Sequence, residues 1–187
     1  MRAIVVSLSI SGMAFFAFGQ PKTALAEDSL ALYEDVDAYQ VYSAALRGRA
    51  PVGIPLLIER RTAPGDNCIA PSGAHSAQVR EASEDSRETN RRQLRLVERF
   101  EIPVKLLNDA AARDIQSKLA GRHEPELRRV GLTSLSAVGF SKDRSVAVLY
   151  VGNYCGLTCG QWRSAAYIKK NGAWTELKGQ VVCMAMS

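Results

Sequence analysis

The chain opens on a long apolar run and continues with shorter segments whose hydrophobic residues recur at regular intervals. Residues 3–19 carry no charge and are rich in Ile, Val, Leu and Phe. Over residues 29–47 the apolar positions follow the spacing of one helical face, and Asp28 or Ser29 can cap the start. The pattern predicts an N-terminal helix over residues 29–47.

The middle of the chain alternates between short apolar runs and polar segments. Residues 102–107 (IPVKLL) fit either a strand or an extended loop. A strand is predicted over residues 54–62, followed by a loop rich in Pro, Gly, Ser and Asn over 63–79. A helix is predicted over 84–100, with Ser83 as its cap and Leu94, Val97 and Phe100 on its buried side. A short helix over 108–119 has Asn108 as its cap.

The last third has the pattern of an antiparallel sheet. Four strand-like runs follow one another at regular intervals, over residues 132–140, 145–154, 161–170 and 174–184. Asn171-Gly172 separates the last two, and Asn-Gly is a strong hairpin signal because both turn positions need a positive φ. The chain is therefore predicted to be α+β, with the N-terminal helix packed on a C-terminal four-stranded antiparallel meander and a helical middle segment.

One C-terminal pattern resembles a known group of proteins. The pattern is VGF-x-x-D…AVLYVG-x-x-CG-x-x-CG…NG-x-W, found here as VGFSKD, AVLYVGNYCGLTCG and NGAW. It resembles a family of uncharacterised exported bacterial proteins and covers about 55 residues well. The resemblance implies a recurring small exported domain. The family has no established reaction, so no catalytic residue can be transferred.

The N-terminus has the three parts of a secretory signal peptide. Arg2 gives the positive start, the apolar run follows, and Ala24-Leu25-Ala26 is a small-x-small cleavage site. We expect residues 1–26 to be the signal peptide and residues 27–187 to form a single domain. An uncleaved anchor is the alternative, but about 17 apolar residues are short of the roughly 20 that a span needs.

Charge and hydropathy limit the partners of the cleaved chain. Removing 26 of the 187 residues leaves 161, and the loss of Arg2 and Lys22 lowers the net charge from +5 to +3. This small excess does not indicate nucleic-acid binding. No second long apolar stretch exists, so no stable membrane span is expected after cleavage. We expect a periplasmic or secreted protein whose partner is an unknown protein or envelope ligand.

Four cysteines lie in the predicted exported part: Cys68, Cys155, Cys159 and Cys183. An even number in an oxidising compartment favours disulfides. Cys155 and Cys159 bracket a short Gly-Leu-Thr turn, which favours a local bridge and leaves Cys68 for Cys183. The spacing also allows a redox pair or half of a zinc site, but redox pairs have the Cys-x-x-Cys spacing at a helix start, and zinc needs further ligands to converge.

Other candidate chemistry is weaker. His123-Glu124 lacks the second histidine of a metalloprotease helix, because position 127 is Leu. Trp162 is the better candidate for an exposed ligand-stacking ring, whereas Trp174 is expected in the core. No catalytic residue, metal site or cofactor is predicted.

Two functional classes remain. The favoured one is a non-catalytic binding or structural domain of the cell envelope or extracellular space, because no catalytic constellation is recognisable. The alternative is a small extracytoplasmic hydrolase with its site at the 63–79 loop, which contains the residue types of a nucleophile, a base and an orienting acid. Its candidate residues are Asp66, Ser72, His75 and His123.

Overall fold

The computed structural model describes residues 27–49, 51–65, 68–121, 124–182 and 184–186. The predicted signal peptide, residues 1–26, lies outside this range. Besides two short 3-10 helices, Glu27–Ser29 and Gly73–His75, the helices are α1 Val36–Leu46, α2 Ser76–Thr89, α3 Asp109–Ala120 and α4 Pro125–Val130. Among the described residues, no helix is long and apolar enough to cross a membrane.

Most of the strands join one mixed sheet. The strands are β1 Leu32–Tyr33, β2 Leu56–Glu59, β3 Ile69–Ala70, β4 Arg95–Leu96, β5 Val104–Leu107, β6 Leu132–Leu135, β7 Gly139–Phe140, β8 Val146–Gly156, β9 Cys159–Lys170, β10 Ala173–Glu176, β11 Val181–Val182 and β12 Met184–Met186. The main sheet has the order β10-β9-β8-β6-β2-β5, with β12 on β9 and β7 on β8. Two small pairs, β1–β4 and β11–β3, lie outside it.

The mixture of helices and sheet agrees with the predicted α+β class, but the sheet is larger than a four-stranded antiparallel meander. Strand β2 pairs in parallel with both β5 and β6. Parallel neighbours need long crossover connections, and here helices lie in those connections. The pairing of β2 joins segments far apart in the chain, so the local pattern did not predict it.

Helices cover both faces of the sheet. Strand β8 shows the two faces most clearly, because its alternate residues belong to different apolar clusters. One face packs against α1, through Ala147, Leu149 and Val151 with Tyr39 and Tyr42. The other face packs against α2, through Val146 and Val148 with Val79 and Ala82, and against α3, through Tyr154 with Ala112 and Leu119.

Helix α1 begins later than the sequence predicts. Its cap is Asp35, whose side chain accepts a hydrogen bond from the Ala38 N–H at 3.3 Å. The prediction of a helix from residue 29 with a cap at Asp28 or Ser29 is therefore wrong. The physical reason is the parallel pairing of β1 with β4, which holds residues 32–33 in an extended conformation.

Helix α2 is displaced toward the N-terminus relative to the predicted helix over 84–100. It ends at Thr89, and Ser83, the predicted cap, lies inside it and donates to the Val79 carbonyl at 2.8 Å. The side chain of Asn90 bonds the backbone of Ala137 through both its oxygen and its nitrogen, at 2.8 and 3.0 Å. This contact turns the chain away, and Leu94 is buried from an extended segment instead.

Two local predictions are confirmed. Helix α3 is capped by Asn108, which accepts from the Ala111 N–H at 2.9 Å. Asn171 and Gly172 have φ values of 50° and 79° in the turn between β9 and β10. Residues 102–107, left open between strand and loop, contain β5. The last predicted strand, 174–184, is interrupted, because β10 ends at Glu176 and a turn follows.

Candidate functional site

A polar cavity lies at the carboxyl ends of two parallel strands. Strands β2 and β5 run side by side and end at Glu59 and Leu107. In open sheets with parallel strands, ligands bind in the crevice outside these ends. The cavity here has a volume of about 430 Å³ and is lined by Glu59, Arg61, Gln93, Asp109, Ala112, Arg113 and Gln116. We call it the strand-end cavity; its volume is typical of small-molecule sites.

Two local geometries bring these residues together. Glu59 is the last residue of β2, and Arg61 follows two positions later, so both project at the strand end. Asp109 is the first residue of helix α3, and a single residue, Asn108, separates it from β5. Residues 112, 113 and 116 are three, four and seven positions further along α3, and this spacing places them on one helical face. The strand end therefore supplies one wall and α3 the other.

An ion pair closes one side of the cavity. The guanidinium of Arg61 contacts the carboxylate of Asp109, and the two side chains are 21% and 28% exposed. Arg61 also lies 3.4 Å from Gln93 Oε1, and Gln93 Nε2 lies 3.4 Å from the Thr62 carbonyl oxygen. Because the charges of Arg61 and Asp109 compensate each other, this side of the cavity is nearly neutral.

Glu59 is the unusual charge in the cavity. It is half-buried, and its carboxylate accepts a hydrogen bond from Gln116 Nε2 at 3.1 Å. Burial, and then the negative charge of Asp109, raise the pKa of Glu59, while Arg61 and the Gln116 hydrogen bond oppose the rise. No cation of the described residues pairs with it. A half-buried carboxylate with a raised pKa in a cavity is typical of functional sites.

Glu27, the first described residue, contacts the start of α3 next to the cavity. Glu27 Oε2 accepts a hydrogen bond from the Asp109 N–H at 2.8 Å, and its other oxygen lies 3.7 Å from Arg60 Nε. Its side chain is only 10% exposed. The residue expected to begin the cleaved chain therefore anchors the start of α3.

The structure describes two of the four residues of the predicted hydrolase site, Ser72 and His75. The Ser72 hydroxyl donates to the Gly179 carbonyl at 2.9 Å, and the Ser72 N–H donates to Gln180 Oε1 at 3.0 Å. His75 ends a short 3-10 helix before α2. Asp66 and His123 lie outside the described residues, so the complete site stays a prediction. Within the described part, no hydrogen bond joins Ser72 to His75.

The cysteines in the described part of the chain, Cys68, Cys155 and Cys159, are disulfide-bonded. Cys155 and Cys159 form a disulfide across the β8–β9 turn, with 5.0 Å between their Cα atoms. Cys68 is disulfide-bonded as well, and its predicted partner, Cys183, lies outside the described residues. No group of three or more His, Cys, Asp or Glu among the described residues could hold a metal ion.

The two tryptophans differ in burial. Trp174 is 6% exposed and contacts Phe140, with 5.8 Å between ring centroids, as expected of a core residue. Trp162 is partly exposed and lies against Gly152, where it occupies the space that a Cβ would need. It is therefore the more accessible of the two rings.

The chain matches no protein-family model, no curated protein and no solved structure. The resemblance of the C-terminal pattern to exported bacterial proteins therefore stays a prediction. Any functional conclusion must come from the geometry of the site.

Sequence reasoning did not select the residues of the strand-end cavity. Their signal is present but weak: charged residues directly follow two short apolar runs, at Glu59 to Arg61 and at Asp109. Such an arrangement indicates a site only when the two runs are known to be parallel neighbours. That pairing is a property of the tertiary structure.

Proposed function

We propose that this protein is an exported, non-catalytic binding domain that holds a small polar ligand in the strand-end cavity. The proposal rests on the surroundings of Glu59. A half-buried carboxylate without a cationic partner is costly, and a ligand that donates to it would recover that cost. Periplasmic or extracellular location follows from the predicted signal peptide and cysteine usage.

Binding is favoured over catalysis by the chemistry of the lining. Among the described lining residues, none is a serine, cysteine or histidine that could act as a nucleophile. The second carboxylate, Asp109, is paired with Arg61 and is not available as an acid–base partner for Glu59. The amides of Gln93 and Gln116 add neutral donors and acceptors, which suit recognition of a polar ligand.

A ligand screen on the secreted protein tests this proposal. We would measure thermal unfolding with amino acids, sugars, nucleosides and dicarboxylates, and confirm each hit by calorimetry. At least one class should raise the unfolding temperature of the wild type, and Glu59→Gln should abolish the effect. Glu88→Gln, a change on the exposed face of α2 where Glu88 pairs with Arg91, is the matched control.

Two outcomes would contradict the proposal. One is a set of hits whose binding survives Glu59→Gln, which would place the ligand elsewhere. The other is the absence of binding across all four ligand classes. In either case the strand-end cavity would have a structural role only.

A further inference from the structure

Four charged side chains line the strand-end cavity, and two of them compensate each other. Arg61 and Asp109 form the ion pair described above, so they attract a ligand only weakly. Glu59 and Arg113 are the remaining two. Among the described residues, no opposite charge forms an ion pair with either of them.

The two uncompensated charges lie on neighbouring parts of the cavity. Gln116 bonds the Glu59 carboxylate at 3.1 Å, and Arg113 precedes Gln116 by three positions on α3. Residues three apart on a helix are surface neighbours. Arg113 is exposed, so its guanidinium is accessible from solvent. The cavity thus presents one negative charge from the strand end and one positive charge from α3.

We infer that the ligand of the strand-end cavity is a free α-amino acid, whose ammonium group binds Glu59 and whose carboxylate binds Arg113. The inference rests on the proposed function and names its ligand class. A ligand with only one charge would leave Glu59 or Arg113 uncompensated. A zwitterion satisfies both, and a guanidinium can bind a carboxylate through two parallel hydrogen bonds.

The surroundings fit such a ligand. Gln93 and Gln116 supply amide groups that can bond a polar ligand. Ala112 is the only apolar side chain among the described lining residues, so a large hydrophobic side chain would find little apolar contact. We therefore expect amino acids with small or polar side chains to bind best.

Calorimetry with chemically matched probes tests the inference. The probes are the twenty L-amino acids and, for the best binder, its methyl ester and its N-acetyl derivative. The ester keeps the cation and loses the anion, and the N-acetyl compound does the reverse. Each derivative should bind the secreted protein at least about tenfold more weakly than the free amino acid, which corresponds to about 1.4 kcal/mol.

Variants assign each charge to its residue. Arg113→Gln should weaken binding of the free amino acid and remove the preference for the free amino acid over its ester. Arg113→Lys should restore part of that preference. Glu59→Gln should remove the preference for the free amino acid over its N-acetyl derivative. Arg91→Gln and Glu88→Gln, which change an exposed ion pair at the C-terminal end of α2, are the controls, and unfolding curves confirm that every variant is folded.

The outcomes separate this inference from the proposed function. If a sugar or nucleoside binds in a Glu59-dependent way and no amino acid does, the inference is wrong and the binding function stands. If ester and free amino acid bind equally, Arg113 binds no carboxylate and the inference is also wrong. If no compound binds in a Glu59-dependent way, both fail.

Discussion

Gly139 lies so close to helix α2 that a Cβ at this position would be 2.2 Å from the carbonyl oxygen of Ala82. It would also be 2.4 Å from the backbone nitrogen of Ser86. Next to it, the Phe140 N–H donates to Asp85 at 2.8 Å. Strand β7 and α2 are therefore in direct backbone contact, and only glycine allows this approach.

Replacing Gly139 with alanine should destabilise the protein by at least about 2 kcal/mol. The atoms that meet the new methyl group belong to a helix backbone, which cannot move without losing packing against β8. Urea unfolding gives the free energy directly. Gly172→Ala is the control, because nothing lies within 4 Å of its Cβ position and only its positive φ costs about 1 kcal/mol. Equal effects at the two positions would contradict the steric argument.

Glu59→Gln should stabilise the free protein at neutral pH. Burial raises the pKa of Glu59 above its ordinary value of 4.5, so folding favours the protonated form. Its contribution to stability is fully present below the unfolded pKa and is lost as pH rises through the folded pKa. Glutamine stays neutral and can still accept the Gln116 hydrogen bond.

Urea unfolding at a series of pH values measures this difference. The advantage of Glu59→Gln over the wild type should be present at pH 7 and should vanish below about pH 4, where the carboxyl is protonated in both states. Glu88→Gln should show no such trend with pH. A Glu59→Gln protein that is less stable than the wild type at pH 7 would rule out the argument.

The turn after β7 should lower the pKa of Asp143 to about 2. Ser141 Oγ donates to its carboxylate at 2.6 Å, and Ser145 donates through both its N–H at 3.0 Å and its hydroxyl at 2.8 Å. These bonds favour the ionised form. The resulting stabilisation is present above the ordinary pKa of 3.8 and is lost as pH falls through about 2.

A side-chain NMR titration measures the pKa of Asp143. Ser141→Ala removes the shortest of the three hydrogen bonds and should raise the pKa toward its ordinary value. Ser117→Ala, on the exposed side of α3, should leave it unchanged. An ordinary pKa in the wild-type protein would show that this turn is not formed in solution.

Intact mass of the secreted protein, with and without reductant, should show a chain that begins at Glu27 and contains two disulfides. The Cys155–Cys159 bridge closes a five-residue loop, so replacing both with serine should cost about 2 kcal/mol in the chain-entropy model. The Cys68–Cys183 bridge is supported by β11, which places Val182 opposite Ile69, the neighbour of Cys68. A mass that includes residues 1–26 would contradict the predicted cleavage, and four free thiols would contradict the predicted disulfides.

The elements that could be predicted from the amino-acid sequence are those whose interactions are local. The Asn171-Gly172 turn needs only two residues that tolerate a positive φ. The Asn108 cap needs one side chain and the N–H three residues later. The long strands β8 and β9 are joined by a short turn, so their apolar patterns identify them without knowledge of the rest of the chain.

The other features depend on contacts between segments that are distant in the chain, so they could not be predicted from local patterns. Because β1 pairs with β4, α1 starts later in the chain than predicted, and the bonds between Asn90 and Ala137 end α2. In both places the apolar residues keep a helical spacing beyond the bounds of the helix. Likewise, Glu59 and Arg113 share a cavity only because β2 pairs in parallel with β5. A periodic pattern records which face of an element is apolar, but not which distant element will cover it.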